Sequence, residues 1–439
     1  MISEQNKKLA QWALDYARMN GCQAAKVSIY TNTNSSVDIR NEKIDSLKQA
    51  SQASMSISLY VDNRFGSYST NRLDQGELEN FIKTGIDSTK YLAPDEFRKL
   101  PDASRYYQGG LPDLEQYDPK LSTLDPDEKV NLALQTCREV SGKDGRIVSV
   151  NTSFSEGESS SYMLASNGFE GEFQSSSCSL SASVSVKGEG DARPSSGWHD
   201  SSLFFAALQK EGIGEKALER TLKKLGQKKT KSGKYTMLVD PMNAGRLLSP
   251  MISALYGSAI QQKNSFLMDM LGQKAGSGLF TLRDEPHLRG AFGARYFDNE
   301  GVATSERTVF DKGVLNTFYI DTYNSLKMGT PPTISSPSVL VLEPGTKDME
   351  GLIKEINNGI LVTGFNGGNS NNSTGDFSFG IEGFLIENGN ISQPVSEMNI
   401  TGNMVTLWES LAAVGNDPRL NSSLRIPSLV FEGVDFSGL

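Results

Sequence analysis

The sequence predicts an α+β protein in two parts. An N-terminal α+β region carries antiparallel strands and helices, and a C-terminal mixed domain is rich in strands. Three observations lead there. Helical and period-2 patterns alternate through residues 1–90. A serine-rich stretch from Ile147 to Lys187 also alternates. The basic, linker-like run Gln227 to Lys234 then precedes a strand-heavy remainder. A chain of 439 residues has room for two or three domains. The expected units are 1–90, a proline-rich connection 91–125, a strand and helix unit 126–234, and a C-terminal domain 235–439.

The first helix follows Ser3, a good N-cap, and presents Leu9, Ala13, Tyr16 and Ala17 on one face; Asn20-Gly21 stops it. Val27 with Ile29, and Val37 with Ile39, read as two strands. Met55, Ile57, Leu59 and Val61 form the clearest alternation in the chain. Asp74 and Glu77 make a capping box for a helix to about Lys90. Pro94, Pro101, Pro112 and Pro119 then punctuate a surface connection. Asp125-Pro126 opens another helix, with Asp127 and Glu128 in its first turn. The serine-rich stretch reads as strands with one polar face, turned at Asn167-Gly168. Residues 188–202 read as a loop and about 202–225 as a helix.

In the C-terminal part, Met237 to Val239 form a short buried strand. Asp240-Pro241 breaks it and opens a helix with Leu247, Leu248, Met251, Ile252 and Leu255 on its stripe, stopping near Gly257. Hairpins are expected at Asp311-Lys312-Gly313 and Asn388-Gly389. A helix near Asp348 to Asn357 precedes a strand at Ile360 to Thr363, and the last strand is Ser428 to Phe431. Asn366 to Asp376, NGGNSNNSTGD, is too polar for a core and reads as a flexible or site-forming loop.

The formal charge of −9 argues against broad binding to nucleic acid or anionic lipid. No apolar run is long enough to span a bilayer, and the first residues lack a signal-peptide core. Three scattered cysteines form no C-x-x-C pair. A cytoplasmic home is expected.

The usual chemistries find few residues. Only two histidines exist, His199 and His287, in separate loop-like settings, so a histidine-built zinc site has too few ligands. There is no G-x-S-x-G elbow and no phosphate loop; a Ser–Lys pair stays open, because sequence does not show spatial neighbours. Asp298 and Glu300 sit in a turn-like FDNEG context that favours a structural role. The lysines between Lys223 and Lys234 read as a solvated helix end and linker.

The words SFLMDMLGQ (265–273), EPHLRG (285–290), FDNEGVATSERTVFDKGVL (297–315), TGDFSFGIEGFLIENGNISQPVSEMNI (374–400) and AVGND (413–417) are spread over most of residues 235–417. Together they resemble the TldD/PmbA (TldE) family, once called modulators of DNA gyrase and associated with a two-component zinc metalloprotease. In the TldD branch the helix after the first C-terminal strand carries HExxxH, and a later cysteine completes the metal set. Here the matching positions hold Ser249, Pro250 and Ala254, and no cysteine follows Asp417. The resemblance therefore implies the PmbA/TldE branch: no cofactor in this chain, zinc on a TldD-like partner subunit, and an extended or unfolded peptide as substrate. A homodimer in isolation is compatible with it.

Such a chain would supply shape rather than metal chemistry. The expected peptide-binding residues are Asn366, Gly367, Gly368, Thr374, Gly375, Asp376, Phe377 and Phe379, with Phe377 to Glu387 as the strand edge that pairs with peptide. The alternatives are a stand-alone peptide-binding or scaffold protein and an enzyme with an unrecognised site.

Overall fold

The computed structural model describes all 439 residues. Helix α1 (Glu4–Met19) leads into strands β1 (Ala24–Arg40), β2 (Lys43–Val61) and β3 (Arg64–Thr70), then helix α2 (Gln75–Thr89). Ser3 caps α1 through its hydroxyl, and Asp74 caps α2 by accepting from the amides of Gly76 and Glu77. After the connection come α3 (Pro126–Arg138), β4 (Ile147–Ala165), β5 (Phe169–Val186), β6 (Ser195–Ser202) and α4 (Ile213–Lys223).

These six strands form one sheet in the order β3-β2-β1-β4-β5-β6. Strand β1 pairs antiparallel with β4 from Lys26 opposite Ala165 to Arg40 opposite Asn151. The units 1–90 and 126–234 thus share a sheet. Helices α1 and α2 cover one end of it through Ala13, Ala17, Leu78 and Ile82, packed on Val27, Ile29 and Ile57. Helices α3 and α4 cover the other end through Cys137, Ile213 and Ala217. The connection is pinned rather than loose. Tyr106 bridges to Val302, the Tyr107 amide bonds the Gly301 carbonyl, and the Tyr323 hydroxyl donates to Asp95 at 2.8 Å.

The C-terminal part begins with β7 (Gly233–Val239), α5 (Gly245–Ser253) and α6 (Gly257–Gln261), then β8 (Leu282–Asp284), β9 (Arg307–Asp311), β10 (Val314–Leu315), α7 (Thr322–Met328), β11 (Leu340–Leu342) and α8 (Met349–Glu355). Strands β12 (Asn358–Ser370), β13 (Asp376–Glu387) and β14 (Asn390–Asn403), helix α9 (Met404–Glu409), and β15 (Leu411–Val414), β16 (Leu424–Arg425) and β17 (Leu429–Ser437) complete it. The main sheet runs β14-β13-β12-β7-β17-β15, and β14 also pairs with β17, which closes five strands on themselves. A second sheet, β10-β9-β8-β11-β16, stands beside it. One large core fills this half, from Met237 and Leu247 to Trp408 and Phe436.

Asn388-Gly389 turns β13 into β14 with positive φ at both residues, as a two-residue hairpin demands. Several local expectations are corrected. Val27–Ile29 and Val37–Ile39 belong to one long strand. Residues 195–202, expected as loop, form β6, an edge strand that tolerates a polar sequence because only one side is paired. The helix expected over 202–225 starts only at Ile213, because Gly212 takes a left-handed φ of 76° and interrupts it. Gly257 opens α6 instead of ending α5; a Cβ there would lie 3.2 Å from the Ile320 Cα. Asn366 to Ser370 continue β12 and are not a loop.

Candidate functional site

Strand β7 is central, parallel to β12 on one side and antiparallel to β17 on the other. Met237, Leu238 and Val239 are fully buried. Asp240 ends the strand, and its Oδ1 accepts from both the amide and the side chain of Asn243. That turn delays the helix expected from Pro241 to Gly245. Burial pushes the Asp240 carboxyl above its ordinary pKa.

Helix α5 buries Leu247, Leu248, Pro250, Met251 and Ile252 and exposes Arg246, Ser249 and Ser253. The Ser249 hydroxyl donates to the Gly245 carbonyl at 2.8 Å, and that of Ser253 to the Ser249 carbonyl at 2.9 Å. Both are spent on their own helix. Pro250 carries no ligating atom and leaves the Arg246 carbonyl without its helical N–H. Ala254 is a fully buried methyl. A zinc ion needs three or four nitrogen, sulfur or carboxylate donors. Ser249, Pro250 and Ala254 do not fit one, and no group of three or more His, Cys, Asp or Glu side chains is placed to hold a metal.

Other chemistries fare no better. His287 Nε2 lies 3.0 Å from the Thr304 hydroxyl, which itself donates to the Arg295 carbonyl; burial lowers the pKa of this histidine. His199 faces Arg419, and burial followed by that guanidinium lowers its pKa too. Asp298 accepts from the amides of Glu300 and Val302 and holds a turn, and Glu300 accepts from the amide and hydroxyl of Thr322 at the start of α7, so both carboxylates are spent on structure. The lysine amine that meets a serine, Lys224 on Ser195, bonds its carbonyl and not its hydroxyl.

The expected peptide-binding residues divide. Gly367 and Gly368 form a bulge in β12 with φ of 83° and 82°. A Cβ on Gly368 would sit 2.0 Å from the Ser378 carbonyl, so only glycine fits. The Gly368 carbonyl accepts from Arg246 at 2.8 Å, and that guanidinium lies 4.7 Å from the centre of the Phe379 ring. The bulge is thereby tied to the exposed face of α5. Thr374, Gly375 and Asp376 form an ordered turn. The Thr374 hydroxyl donates to Asp376 at 2.8 Å, Asn403 donates to Asp376 and to the Thr374 carbonyl, and the Met404 amide bonds the Gly375 carbonyl. These bonds hold the Asp376 carboxyl below its usual pKa, Asn403 foremost. Asn366, Gly367, Gly368, Thr374 and Asp376 are exposed.

Phe377 and Phe379 are not surface groups. They are 5% and 1% exposed and stack on each other in the core, since alternation on β13 turns odd positions inward. The edge assignment is also corrected: β13 lies between β12 and β14 and is paired along both sides. The free edge belongs to β12 instead. Strand β7 pairs only as far as Val362, so Thr363 to Ser370 overhang it with one side unpaired by any strand. Sequence reading missed Arg246, which joins α5 to that overhang; an arginine on a helix face gives no local signal of its acceptor.

Comparison with known proteins agrees with this architecture. Models described as PmbA/TldA metallopeptidase domain 1, central domain and C-terminal domain match residues 25–89, 119–225 and 232–438. The chain is 28% identical to a Metalloprotease PmbA homolog of Haemophilus influenzae, over 100% of this chain and 98% of that protein. A crystal structure from Bacteroides thetaiotaomicron, described as a candidate modulator of DNA gyrase, is 65% identical with a TM-score of 0.98 and full coverage of both chains. TldE from Thermococcus kodakarensis shares the fold, with a TM-score of 0.85 at 21% identity over 98% of this chain and all of that one. The chain belongs to the PmbA/TldD metallopeptidase family.

Proposed function

We propose that this chain is the metal-free subunit of a TldD/TldE-type metalloprotease, pairing with a TldD-like, zinc-bearing chain and helping to hold an extended or unfolded peptide. One observation carries this reading. The helix where the TldD branch carries HExxxH bears Ser249, Pro250 and Ala254 here, which offer zinc no histidine, cysteine or carboxylate and offer water no base. What this chain offers is a shaped surface. The overhang Thr363 to Ser370 presents unpaired backbone beside Arg246, and an extended peptide can add there as a strand. Asn366, Gly367, Gly368, Thr374 and Asp376 are the side of this region open to the peptide.

The test is metal content and peptide turnover of the purified chain, alone and mixed with a TldD-like chain. Co-elution with that chain, and turnover only in the mixture, is expected. One tightly held zinc per chain with unaided cleavage overturns the silent assignment. A stand-alone peptide-binding role is the second reading, since the β12 overhang is complete within one chain. Peptide binding that persists while no TldD-like chain associates would favour it, whether the chain is monomeric or a homodimer.

A further inference from the structure

The seam between the two halves encloses a cavity of ≈ 650 Å³ on the face of the main C-terminal sheet opposite α5. The N-terminal half contributes Trp198 of β6 and Arg220 of α4; the C-terminal half contributes Leu361, Phe384, Ile391 and Arg419. The cavity has a charged end and an apolar wall. At the charged end the two guanidiniums lie over the Trp198 ring, 5.5 and 5.8 Å from its centre.

Their donors are incompletely used. Arg220 makes no hydrogen bond within 3.5 Å, and its Nε is buried with no partner. Asp240 lies 3.7 Å away, close enough to balance charge and too far to bond. Arg419 spends Nε on Asn421 and one terminal nitrogen on His199, which leaves its other terminal nitrogen free. The remaining ions are paired within the protein. Lys224 bonds Glu382, Lys216 and Lys223 share Glu219, and both Asp417 oxygens accept from Ser428. In a chain of net charge −9 this cavity still has five basic residues against three acidic ones. A buried guanidinium N–H without an acceptor is costly, and a carboxylate answers its fork in two bonds. The apolar wall, with Leu361 3% and Ile391 48% exposed, suits a hydrocarbon arm reaching from that carboxylate toward solvent.

We propose that this seam cavity binds a small amphiphilic carboxylate, its anion between Arg220 and Arg419 and its apolar arm along Leu361, Phe384 and Ile391. A peptide C-terminus with an apolar last residue and a medium-chain fatty acid share this chemistry. The site does not depend on peptide addition at β12 or on a zinc-bearing partner, so either proposal can fail alone.

Calorimetric titration of the full chain tests it with three probes: N-acetyl-Ala-Leu, its C-terminal amide, and octanoate. Saturable one-to-one binding of at least one carboxylate is expected, with quenching of Trp198 emission that is lost in Trp198→Phe. If the dipeptide acid binds, its amide should bind about tenfold more weakly, and Arg220→Gln and Arg419→Gln should each weaken the binding carboxylate about tenfold. Binding of the dipeptide acid alone identifies a peptide terminus, and of octanoate alone a fatty acid; both uphold the site. Equal affinity for acid and amide, unchanged affinity in both folded arginine variants, or no carboxylate binding up to about 5 mM overturns it. Should Arg220→Gln fail to fold, Arg419→Gln decides alone.

Discussion

The indole N–H of Trp408 donates to the backbone carbonyl of Leu247 at 3.2 Å, joining α9 to the first turn of α5. Trp408 is fully buried and stacks on Phe280 with centroids 4.1 Å apart. The helix that carries no metal ligands is therefore held by a buried aromatic anchor. Trp408→Phe removes the donor and part of the ring while keeping an aromatic. The expected loss is about 1–3 kcal/mol of unfolding free energy, read from urea denaturation followed by circular dichroism. An unchanged midpoint would show that α5 does not rely on this bond.

Rebuilding the histidines should not restore a metal site. Ala254 is fully buried, and an imidazole there overpacks the core. Ser249→His with Ala254→His is expected to lose about 2 kcal/mol or more of stability. It should bind no stoichiometric zinc, because Pro250 and the rest of the donor set are unchanged. Elemental analysis after dialysis against zinc provides the check, and one retained zinc per chain would contradict the geometry.

Lys224, the C-cap of α4, pairs with Glu382 of β13 at 2.5 Å across the seam, with side chains 15% and 18% exposed. Removing one partner leaves the other nearly buried and unpaired. Lys224→Met should cost about 2 kcal/mol. Adding Glu382→Gln should return much of that loss, since no charge is then stranded. A double-mutant cycle in denaturant measures the coupling; strict additivity would mean the pair does not clamp the halves.

Glu219 lies between Lys223 and Lys216 on α4, and hydrogen bonds to those two amines bring its pKa down to about 2. A carboxylate with a depressed folded pKa stabilises the protein fully above its ordinary value of 4.5, and that contribution fades as pH falls toward 2. The side chain is 44% exposed, so solvent screening limits the effect. Glu219→Gln should cost about 0.5 kcal/mol at neutral pH and almost nothing near pH 2. Chemical denaturation of both proteins across that window follows the difference, which should shrink as the pH drops.

Gly368→Ala should disturb the bulge beside α5. The left-handed φ and the Ser378 carbonyl both oppose a methyl group. A loss of about 1–3 kcal/mol is expected, with weaker peptide binding if the overhang holds the peptide. Peptide affinity that survives in the folded variant would move the peptide site elsewhere.

Local pattern alone determined much of this protein. Ser3, Asp74 and Asp125 begin their helices, Asn388-Gly389 makes its hairpin, and Leu247 to Leu255 turn inward, because caps, turns and periodicity are written within a few residues. That Ser249, Pro250 and Ala254 bring no histidine, cysteine or carboxylate to α5 was equally legible, since side-chain chemistry needs no coordinates. Tertiary structure decided the rest. The place of β13 between β12 and β14, the overhang of β12 past Val362, and the inward turn of Phe377 and Phe379 depend on which strands become neighbours. Trp198, Arg220, Leu361 and Arg419 meet only because the halves dock at the seam. Hydrogen-bond pairing and burial are satisfied between segments far apart in the chain, and no local window carries that information.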